Sequence, residues 1–389
     1  MRVLVFTTLF PNAADPGKAV FVEQRLLHLA ASKQVEARVL APVPWFPSTN
    51  PRFGQYARFA GAPRKEQRHG IPVEHPRYLV IPKVGMTMAP FLLAAACLGH
   101  IRRIHAEWPF DVIDAHYYYP DGVAAAMLGR HLNVPVVITA RGSDITLIPK
   151  ARMARKLITW AAKSSGASIA VCRSLKEHMA QLGIDASRVT VLRNGVDLIR
   201  FHPVERAAAR QKLGIATRAP LLLSVGLLIE RKGHHLVMEA LRSLPDTELV
   251  IAGEGEWEGR LRRLAVTLGV EARVHFVGRV AHEQLYLYYS AADVMVLASS
   301  REGWANVLLE SMACGTPVVA TNADGNPEVV ASPEAGVIIG ERSAAAIAAG
   351  ARQLLEALPT REATRRYAER FAWDETTQGQ LDVFARVAG

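Results

Sequence analysis

The chain has 389 residues, a formal net charge of +10 and 50% hydrophobic residues. Its length predicts two globular domains rather than one core, and its apolar content without low-complexity tracts excludes a disordered protein. Its three cysteines, Cys97, Cys172 and Cys314, show no C-x-x-C spacing, which predicts reduced thiols in a cytoplasmic protein rather than a disulfide-stabilised secreted one.

The N-terminal residues predict a short strand and not a targeting segment. Residues 1–8 have neither the long apolar region nor the cleavage site of a signal peptide. The longest apolar run, residues 91–99, is about half as long as a bilayer span requires. We therefore do not expect a membrane-spanning segment.

The charge is unevenly divided along the chain. Residues 1–197 hold nearly twice as many Lys and Arg as Asp and Glu, whereas the remainder is close to neutral. We expect the basic half to face an anionic membrane or an anionic acceptor. Nucleic acid is not expected as a partner, because no recognised nucleic-acid-binding motif is present.

Apolar runs alternate with helical patterns from end to end, which is the βαβ rhythm of parallel sheets. The fold class predicted is α/β, with two Rossmann-like, doubly wound domains over residues 1–197 and 198–372. A terminal helix is predicted over residues 373–389, and its helical pattern runs from Trp373 to Val387. The predicted strands begin at Val3, Ala37, Tyr78, Val112, Pro135, Ser168, Val189, Leu221, Glu248, Val274, Asp293, Pro317 and Val337.

Two loops of the first half carry candidate site residues. Gly17 and Lys18 lie between the first strand and a predicted helix, where a glycine permits close approach of the backbone to a phosphate. This loop lacks G-x-G-x-x-G, which counts against an ordinary NAD site. His116 ends a strand, where an imidazole could bind a hydroxyl or move a proton, or could be structural.

The next strand of the first half is followed by Arg141 and Asp144. Arg141 is a candidate for binding a phosphate or an acidic group of a substrate. Asp144 is predicted either to orient Arg141 or to cap the following turn, and we favour the cap.

In the second half of the chain, basic residues follow the first predicted strand. Gly226, Arg231 and Lys232 precede a further glycine and a helical segment, so Lys232 is the first candidate for a phosphate contact, with a helix dipole behind it. Arg231 is equally consistent with an exposed charge. No Asp-x-Asp motif and no His/Cys cluster at zinc-ligand spacing occurs in the chain, so we predict a cationic phosphate site without a metal.

A pair of glutamates follows the apolar run of residues 293–298, which predicts a buried strand. Residues 306–313 predict a short helix with Asn306 as its N-cap. Glu302 and Gly303 then lie in a strand-to-helix loop at the carboxyl edge of a sheet, where open α/β sheets bind ligands. Glu310 lies about one turn into the helix and, taken alone, fits an ordinary exposed position equally well. Carboxylates with backbone N–H groups between them suit an anionic ligand that bears hydroxyls.

The stretch from Glu302 to Glu310, followed by the strand motif of residues 315–319, resembles the paired-glutamate signature of the family 4 glycosyltransferases. Residues 9–23, 114–117, 139–144, 193–197, 225–233 and 253–255 resemble other motifs of the same family. This resemblance covers nearly the whole chain. It implies the GT-B fold, in which two Rossmann-like domains face each other across a cleft. The acceptor is then expected to bind the first domain and the nucleotide-sugar donor the second, and the last helix is expected to cross back to the first domain.

The resemblance also implies roles for individual residues. The catalytic candidates are Glu302, His116 and Lys232, and Glu310 is expected on the nucleotide ribose. Acceptor contacts are expected from His116, Arg141 and Arg173. The expected donor contacts are Gly17, Lys18, Gly226, Arg231, Lys232, Gly303, Trp304, Ala305, Asn306, Val307 and Glu310.

The chain departs from the family pattern at several of these positions. Leu227 stands where arginine is frequent, so either one phosphate charge is met by another residue, with Arg231, Arg141 and Arg173 as candidates, or the diphosphate site is weaker than is usual in the family. Arg141 itself stands where many relatives carry histidine. Trp304 and Ala305 replace phenylalanine and glycine, which keeps an aromatic wall and a small residue but could change which sugar fits.

We therefore expect a cytoplasmic, retaining glycosyltransferase, working at the inner face of the cell membrane in polysaccharide or glycolipid synthesis. It would move a hexosyl unit from a nucleoside diphosphate sugar to an acceptor hydroxyl and would need no metal or other cofactor. One alternative is a nucleotide-sugar epimerase of the same fold. The other is a non-catalytic assembly subunit that binds a sugar nucleotide.

Overall fold

A computed structural model describes residues 1–80 and 85–389 of the chain. The chain divides into two compact units: unit 1 consists of Met1–Asn194 and Asp374–Gly389, and unit 2 of Gly195–Trp373. The sequence placed this boundary three residues later, after residue 197. The last helix lies in unit 1, although unit 2 separates it in sequence from the rest of that unit.

The strands are short and mostly buried. In chain order they are β1 (Arg2–Phe6), β2 (Glu36–Leu40), β3 (Val43–Pro44), β4 (Lys65–Arg68), β5 (Ile71–Glu74), β6 (Arg77–Tyr78), β7 (Val112–His116), β8 (Val136–Ala140), β9 (Ala167–Ala170), β10 (Val189–Val191), β11 (Leu221–Val225), β12 (Glu248–Ala252), β13 (Val274–Gly278), β14 (Val294–Leu297), β15 (Val318–Thr321) and β16 (Gly336–Ile339).

The helices fill most of the connections between strands. In chain order they are α1 (Val20–Ala31), α2 (Gln55–Gly61), α3 (Gly85–Glu107), α4 (Val123–Leu132), α5 (Ser143–Thr146), α6 (Arg152–Ser164), α7 (Arg173–Gln181), α8 (Arg206–Leu213), α9 (His234–Ala240), α10 (Glu258–Leu268), α11 (Leu285–Ala291), α12 (Asn306–Ala313), α13 (Asn326–Val329), α14 (Ala344–Glu356), α15 (Arg361–Glu369) and α16 (Asp374–Ala388). Among the described residues, none of the helices has the length and apolar content needed to cross a bilayer.

Each unit is built around one sheet. Unit 1 has eight strands in the order β10-β9-β8-β7-β1-β2-β5-β4, and unit 2 has six in the order β13-β12-β11-β14-β15-β16. Neighbouring strands are parallel except for β4 and β5, which pair antiparallel. Helices connect the parallel strands, so both units are doubly wound α/β domains, as the sequence predicted.

Burial explains why the central strands form from these residues. Every residue of β7, β8, β11 and β14 is buried, so these strands are mostly apolar and lack the alternating pattern of a half-exposed strand. The α16 residue Phe384 is fully buried and joins the core of unit 1 beside β1 residues such as Val3 and Val5. The last helix is therefore an integral layer of unit 1.

The strand order fixes where ligands can bind. In unit 1 the order reverses between β1 and β7, and in unit 2 it reverses between β11 and β14. At such a reversal the loops leave the sheet in opposite directions and open a crevice at the carboxyl ends of the strands. The loops after β1, β7, β11 and β14 are the ones in which the sequence placed most of its candidate residues.

The observed strands begin within one residue of every predicted start. The sequence missed β3, β4 and β5, and Tyr78 belongs to a two-residue strand that pairs with β3 outside the main sheet. The strand β4 reads Lys-Glu-Gln-Arg with no buried residue, so no apolar pattern marks it. An antiparallel edge strand of this kind is held by backbone pairing and leaves no hydrophobic signal in the sequence.

Candidate active site

The loop after β11 is shaped by two glycines that no other residue could replace without strain. Gly226 has φ 145° and Gly233 has φ 74°. A Cβ on Gly233 would lie 2.1 Å from the carbonyl oxygen of Ala298, the residue that follows the neighbouring strand β14. This close approach brings the residue before Gly233, Lys232, to the end of β14.

Lys232 and Glu302 form the central contact of the site in unit 2. The Lys232 Nζ donates to Glu302 Oε1 over 2.6 Å, and both side chains are largely buried, with 15% and 10% of their surfaces exposed. Arg231 Nη1 lies 3.6 Å from the same carboxylate oxygen and donates to the backbone oxygen of Arg301 over 2.8 Å. Two cations and one carboxylate thus meet at the strand-order reversal.

The electrostatics of this cluster keep Glu302 ionised. Burial by itself raises the pKa of the Glu302 carboxyl, but the charge and hydrogen bond of Lys232, with a smaller contribution from Arg231, hold that pKa below its usual value. The Glu302 backbone N–H donates to Asp324 Oδ2 over 3.0 Å. Asp324 therefore fixes the loop that carries Glu302, a role that the sequence did not assign to it.

The segment between the two glutamates differs in part from the expectation. The N-cap position of α12 is Ala305 and not Asn306, which is the first helical residue, and no side chain caps the helix. The Trp304 ring is 7% exposed and packs on Phe371 at a centroid distance of 6.0 Å. The Trp304 side chain is thus turned into the core of unit 2 and does not form an open aromatic wall.

The remaining predicted donor contacts in this segment lie at the start of α12. Gly303, Asn306 and Val307 are half-buried, and Ala305 is buried. The first turn of an α-helix leaves backbone N–H groups without partners in the helix and directs a partial positive charge outward. Any contact from Ala305 to an anionic ligand is therefore made through its backbone.

Glu310 is a buried residue and not an exposed helix position. Its surface is 7% exposed, and Oε2 accepts from the Tyr289 hydroxyl over 2.8 Å, while Oε1 lies 3.0 Å from His282 Nε2. Burial lowers the pKa of His282, but its hydrogen bond and ion pair with Glu310 outweigh burial and raise that pKa. Each carboxylate oxygen keeps a second lone pair, so Glu310 can still accept from ligand hydroxyls.

The site region of unit 1 contains a ring of hydrogen-bonded side chains around His116. The His116 Nε2 lies 3.2 Å from Asp114 Oδ2, and its Nδ1 lies 2.6 Å from Arg141 Nη2. Arg141 Nη1 donates to Asn194 Oδ1 over 3.1 Å. The ring closes through Arg25, which lies 3.4 Å from the same Asn194 oxygen, and through Gln380 of α16, which joins Arg25 to Asp114.

This ring changes the role expected for His116. The side chain is 1% exposed, and both ring nitrogens are engaged, Nδ1 as an acceptor from the Arg141 guanidinium and Nε2 as a donor to Asp114. Burial lowers the pKa of His116 to about 4, with Asp114 opposing and Arg141 reinforcing the effect. In this arrangement a neutral His116 holds Arg141 in place and offers no free nitrogen to a substrate hydroxyl, which corrects the expectation of direct contact.

Asp144 stabilises the backbone near Arg141. Its carboxylate accepts from the backbone N–H groups of Tyr118, Arg141 and Gly142 at 2.8, 3.1 and 2.7 Å. It joins the residues that follow β7 and β8, so its role is closer to the predicted cap than to an orienting contact with the Arg141 side chain.

The loop after β1 contacts a buried carboxylate of the segment after β7, Asp121, to which the sequence assigned no role. Asp121 is fully buried and accepts from Thr7 Oγ1 at 3.1 Å and from Thr8 Oγ1 at 3.0 Å. Burial raises the pKa of Asp121 to about 7, against the hydrogen bonds from Thr8 and Thr7. Gly17 is exposed in the loop after β1, and burial lowers the pKa of Lys18, which lies near Asp121.

Arg173 lies in the wall of a cavity in unit 1. It is exposed at the first position of α7 and lines this cavity of about 220 Å³ together with Arg193 and Thr376. The structure thus brings Lys232, Arg231 and Glu302 together in unit 2 and His116 and Arg141 together in unit 1, and it places Arg173 in the wall of a cavity of unit 1.

The sequence did not assign roles to Asp324, His282, Tyr289, Asn194, Arg25 or Gln380. Asp324 had a usable signal, because it follows the strand next to β14 at the same edge of the sheet. The other five act through contacts between distant parts of the chain, for which a single sequence holds no signal.

The two doubly wound α/β units have the GT-B fold, which solved structures share. Sucrose-phosphate synthase from Thermosynechococcus elongatus has a TM-score of 0.80 at 20% identity, covering 99% of this chain and 98% of that one. Anabaena Alr3699/HepE, solved with UDP-glucose, has a TM-score of 0.75 at 21% identity, covering 99% of both chains.

Sequence comparison gives the family. Residues 30–200 match the description Glycosyltransferase Family 4, and residues 205–371 match Glycosyl transferases group 1. TuaC of Bacillus subtilis (strain 168), named as a teichuronic acid biosynthesis glycosyltransferase, is 30% identical over 98% of this chain and 95% of its own. A D-inositol 3-phosphate glycosyltransferase of Geodermatophilus obscurus is 30% identical over 84% of this chain and 78% of its own. The chain belongs to glycosyltransferase family 4 and is a glycosyltransferase.

Proposed function

We propose that this glycosyltransferase moves a hexosyl unit from a nucleoside diphosphate sugar to an acceptor hydroxyl, with retention of the anomeric configuration and without a divalent metal. We further propose that its acceptor belongs to a polysaccharide or glycolipid. The observation that carries the proposal is the Lys232–Glu302 pair of 2.6 Å, with Arg231 beside it, at the strand-order reversal of unit 2. The alternatives are an epimerase of the same fold and a non-catalytic binding subunit.

The cations of this cluster suit the charge that develops during transfer. As the sugar C1–oxygen bond breaks, negative charge accumulates on the leaving diphosphate, and fixed positive charge stabilises the transition state more than the ground state. Lys232 has three N–H donors, of which Glu302 occupies one. The remaining donors, Arg231 and the first-turn N–H groups of α12 supply positive charge without a metal ion.

The carboxylates of unit 2 suit the hydroxyls of the donor. Glu302 is ionised and fixed by Lys232 and by the hydrogen bond from its backbone to Asp324, so it can accept hydrogen bonds from sugar hydroxyls. Glu310, held by His282 and Tyr289, would accept from the ribose hydroxyls. Gly226, Gly303, Asn306 and Val307 would contribute backbone groups on either side.

Retention follows if the acceptor attacks on the face from which the diphosphate departs. In that step the bond from C1 to the diphosphate oxygen breaks and a bond from C1 to the acceptor oxygen forms. The acceptor proton passes to the departing phosphate oxygen, so no enzyme base is required. In unit 1, Arg141, positioned by His116 and Asn194, and Arg173 would bind acidic groups of the acceptor, while Gly17 and Lys18 would meet the donor.

A screen of donors tests the proposal directly. The solved structures of Alr3699/HepE with UDP and UDP-glucose make UDP-sugars the first to try, followed by GDP- and ADP-sugars. We expect transfer that persists in EDTA and a product whose anomeric configuration, measured by NMR, equals that of the donor. An inverted product or a strict requirement for added metal would contradict the proposed mechanism.

Substitution of Glu302 tests the site. Glu302→Gln keeps the shape of the side chain but removes the charge that orients Lys232, so we expect kcat to fall by roughly 10²–10³. Glu356→Gln, at an exposed position on α14, is the matched control and should retain full activity. Unchanged transfer by Glu302→Gln would place the catalytic site elsewhere. Conversion of the donor without acceptor would indicate an epimerase, and donor binding without turnover would indicate an assembly subunit.

A further inference from the structure

The carboxylate of Glu310 is held by donors from two other segments of unit 2. His282 begins the turn between β13 and α11, and Tyr289 lies within α11. His282 Nε2 lies 3.0 Å from Glu310 Oε1, and the Tyr289 hydroxyl donates to Oε2 over 2.8 Å. Because each oxygen has its own donor, the plane of the carboxylate cannot turn without breaking a hydrogen bond. Glu310 is therefore fixed in orientation as well as in position.

Arg200 determines which nitrogen of the His282 ring carries the hydrogen. Its Nη1 lies 3.1 Å from His282 Nδ1. A guanidinium group can only donate, so Nδ1 accepts and the hydrogen of the neutral ring lies on Nε2. His282 therefore donates to Glu310, and the three side chains form a chain of hydrogen bonds that runs from Arg200 to the carboxylate.

Arg200 is itself fixed by its own segment, which precedes α8. Its backbone N–H donates to Asp197 Oδ1 over 2.9 Å, and its Nε lies 3.8 Å from Asp197 Oδ2. The edge of the Phe201 ring packs on the His282 imidazole at a centroid distance of 5.1 Å. About three-quarters of the Arg200 and His282 side-chain surfaces are buried. This packing leaves the imidazole little freedom to rotate.

The fixed carboxylate suits a ligand with two neighbouring hydroxyls. After the contacts with His282 and Tyr289, each oxygen of Glu310 keeps one lone pair. Two acceptors held in one plane match hydroxyls on adjacent carbons, such as the 2′ and 3′ hydroxyls of a ribonucleoside. A carboxylate that could rotate would bind the same hydroxyls less well, because its rotational freedom would be lost on binding.

We propose that His282, oriented by Arg200, is a positioning residue that makes the site select ribonucleotides over 2′-deoxyribonucleotides. This inference rests on the proposed function, which places Glu310 at the ribose, and it adds the residues that make the contact selective. A site with a fixed, buried acceptor rejects a ligand that lacks the matching hydroxyl, because the acceptor is left unpaired. Without the hydrogen bond from His282, the carboxylate can turn towards water, and the penalty for a missing hydroxyl falls.

A purely structural role for His282 leads to a different expectation. If His282 only held the turn before α11 against α12, its loss would lower the free energy of unfolding and would weaken the binding of every nucleotide equally. The ratio of affinities for two ligands that differ by one oxygen atom is insensitive to such a loss. This ratio therefore separates a positioning role from a structural one.

Calorimetric titration of the full chain with UDP and 2′-deoxy-UDP tests the proposal, with GDP, ADP and their 2′-deoxy forms as further probes. We expect the unsubstituted protein to prefer the ribonucleotide by roughly 10- to 100-fold, the range for one hydrogen bond to a charged group. His282→Ala should weaken binding of the ribonucleotide by about tenfold and of the deoxyribonucleotide by less than about twofold. His282→Gln, whose amide nitrogen can take the place of Nε2, should restore most of the preference.

Two further variants test whether His282 acts through Glu310. In a Glu310→Gln background, removal of His282 should change the ratio of affinities no further, because a positioning residue acts only through the carboxylate. Arg200→Leu should reduce the preference for the ribonucleotide by about threefold, since the imidazole then loses the donor that keeps its hydrogen on Nε2.

His275→Ala is the matched control in the same unit. His275 Nε2 lies 2.6 Å from Glu248 Oε2, so this substitution also breaks a contact between a histidine and a carboxylate, and the ratio of affinities should be unchanged. In transfer assays, His282→Ala should raise the KM for the donor by about tenfold and leave kcat within about twofold, because the ribose is held equally in the ground state and the transition state.

Failure of this inference can be told apart from failure of the proposed function. If none of the nucleotides binds and no sugar nucleotide supports transfer, the proposed function is wrong and the inference falls with it. If a ribonucleotide binds with the expected preference and His282→Ala keeps that preference, the inference alone is overturned. Equal weakening of both nucleotides in His282→Ala, or no preference in the unsubstituted protein, would also overturn it.

Discussion

At the scale of single residues, the environment decides the chemistry more than the residue type does. His116 has the side chain of a general base, yet burial and the adjacent Arg141 lower its pKa to about 4 and use both of its nitrogens. Glu310 fits an exposed helix position in the sequence, yet it is buried between His282 and Tyr289. The sequence identified both residues, but their partners come from distant parts of the chain, and so their roles could not be read from it.

Asp121 gives a pH-dependent prediction at this scale. Because its pKa is raised to about 7, folding favours the protonated form, so its contribution to stability is complete below pH ~4 and is lost as the pH rises towards 7. Asp121→Asn should therefore raise the free energy of unfolding at pH 8, on the order of 1–4 kcal/mol at ~1.4 kcal/mol per pKa unit. Denaturant unfolding at pH 5 and pH 8 measures the difference between the two proteins.

The unsubstituted protein and Asp121→Asn must be measured side by side, because other titratable groups of the protein also change the free energy of unfolding between pH 5 and pH 8. The amide of the asparagine can still accept from the Thr8 backbone N–H, and the hydroxyls of Thr7 and Thr8 can rotate to accept from it. The stabilisation should shrink as the pH falls. A stabilisation of equal size at both pH values would show that Asp121 keeps an ordinary pKa.

At the scale of elements, the sequence predicted the strands that are buried and missed the strands that are held only by backbone pairing. The central strands were located because they are mostly apolar runs, and the loops after β11 and β14 were recognised as site loops because parallel strands end at one edge. The polar edge strand β4 and the short strand β3 carry no apolar pattern. The N-cap of α12 was misplaced by one residue because Asn306, a residue type that often caps helices, is the first helical residue here and does not cap the helix.

The contact between the β11 loop and the end of β14 gives a prediction at this scale. Gly233→Ala places a Cβ 2.1 Å from the Ala298 carbonyl oxygen at φ 74°, which combines left-handed strain of ~1–2 kcal/mol with overpacking of ~1–3 kcal/mol. We expect a loss of about 3 kcal/mol or more in the free energy of unfolding and a fall in kcat as Lys232 moves.

Gly269→Ala is the matched control for this substitution. Gly269 has φ 66° and open space around its added Cβ, so it should lose only the ~1–2 kcal/mol of backbone strain and none of the activity. Chemical denaturation of both variants checks the comparison. Equal losses would mean that the close approach to β14 is relieved at little cost.

At the scale of the whole molecule, the two units differ in how the chain builds them. Unit 2 is one continuous stretch, whereas unit 1 is completed by α16, which contributes Phe384 to the core and Gln380 to the ring around His116. The comparisons place both units in one family, with matches over residues 30–200 and 205–371. The resemblance in sequence was enough to identify the fold, but a single sequence could not show which side chains α16 would reach.

This division predicts a selective effect of α16 on unit 1. Phe384→Ala removes a fully buried ring and should cost about 3–5 kcal/mol. Hydrogen exchange followed by mass spectrometry should show faster opening of β7 and β8 and unchanged exchange of β11 and β14. Arg386→Ala, at an exposed position of the same helix, should leave both unaffected, and equal acceleration in the two units would contradict the assignment of α16 to unit 1.

The place of α16 in the chain has a consequence for biosynthesis. A ribosome adding ~5–20 residues per second needs roughly ten to forty seconds to translate the intervening unit. During that time the nascent unit 1 lacks its final layer, and the polar groups that α16 later satisfies remain open to water. Completion of the N-terminal fold is thus coupled to emergence of the last helix, which leaves a window in which a chaperone could hold the unfinished domain.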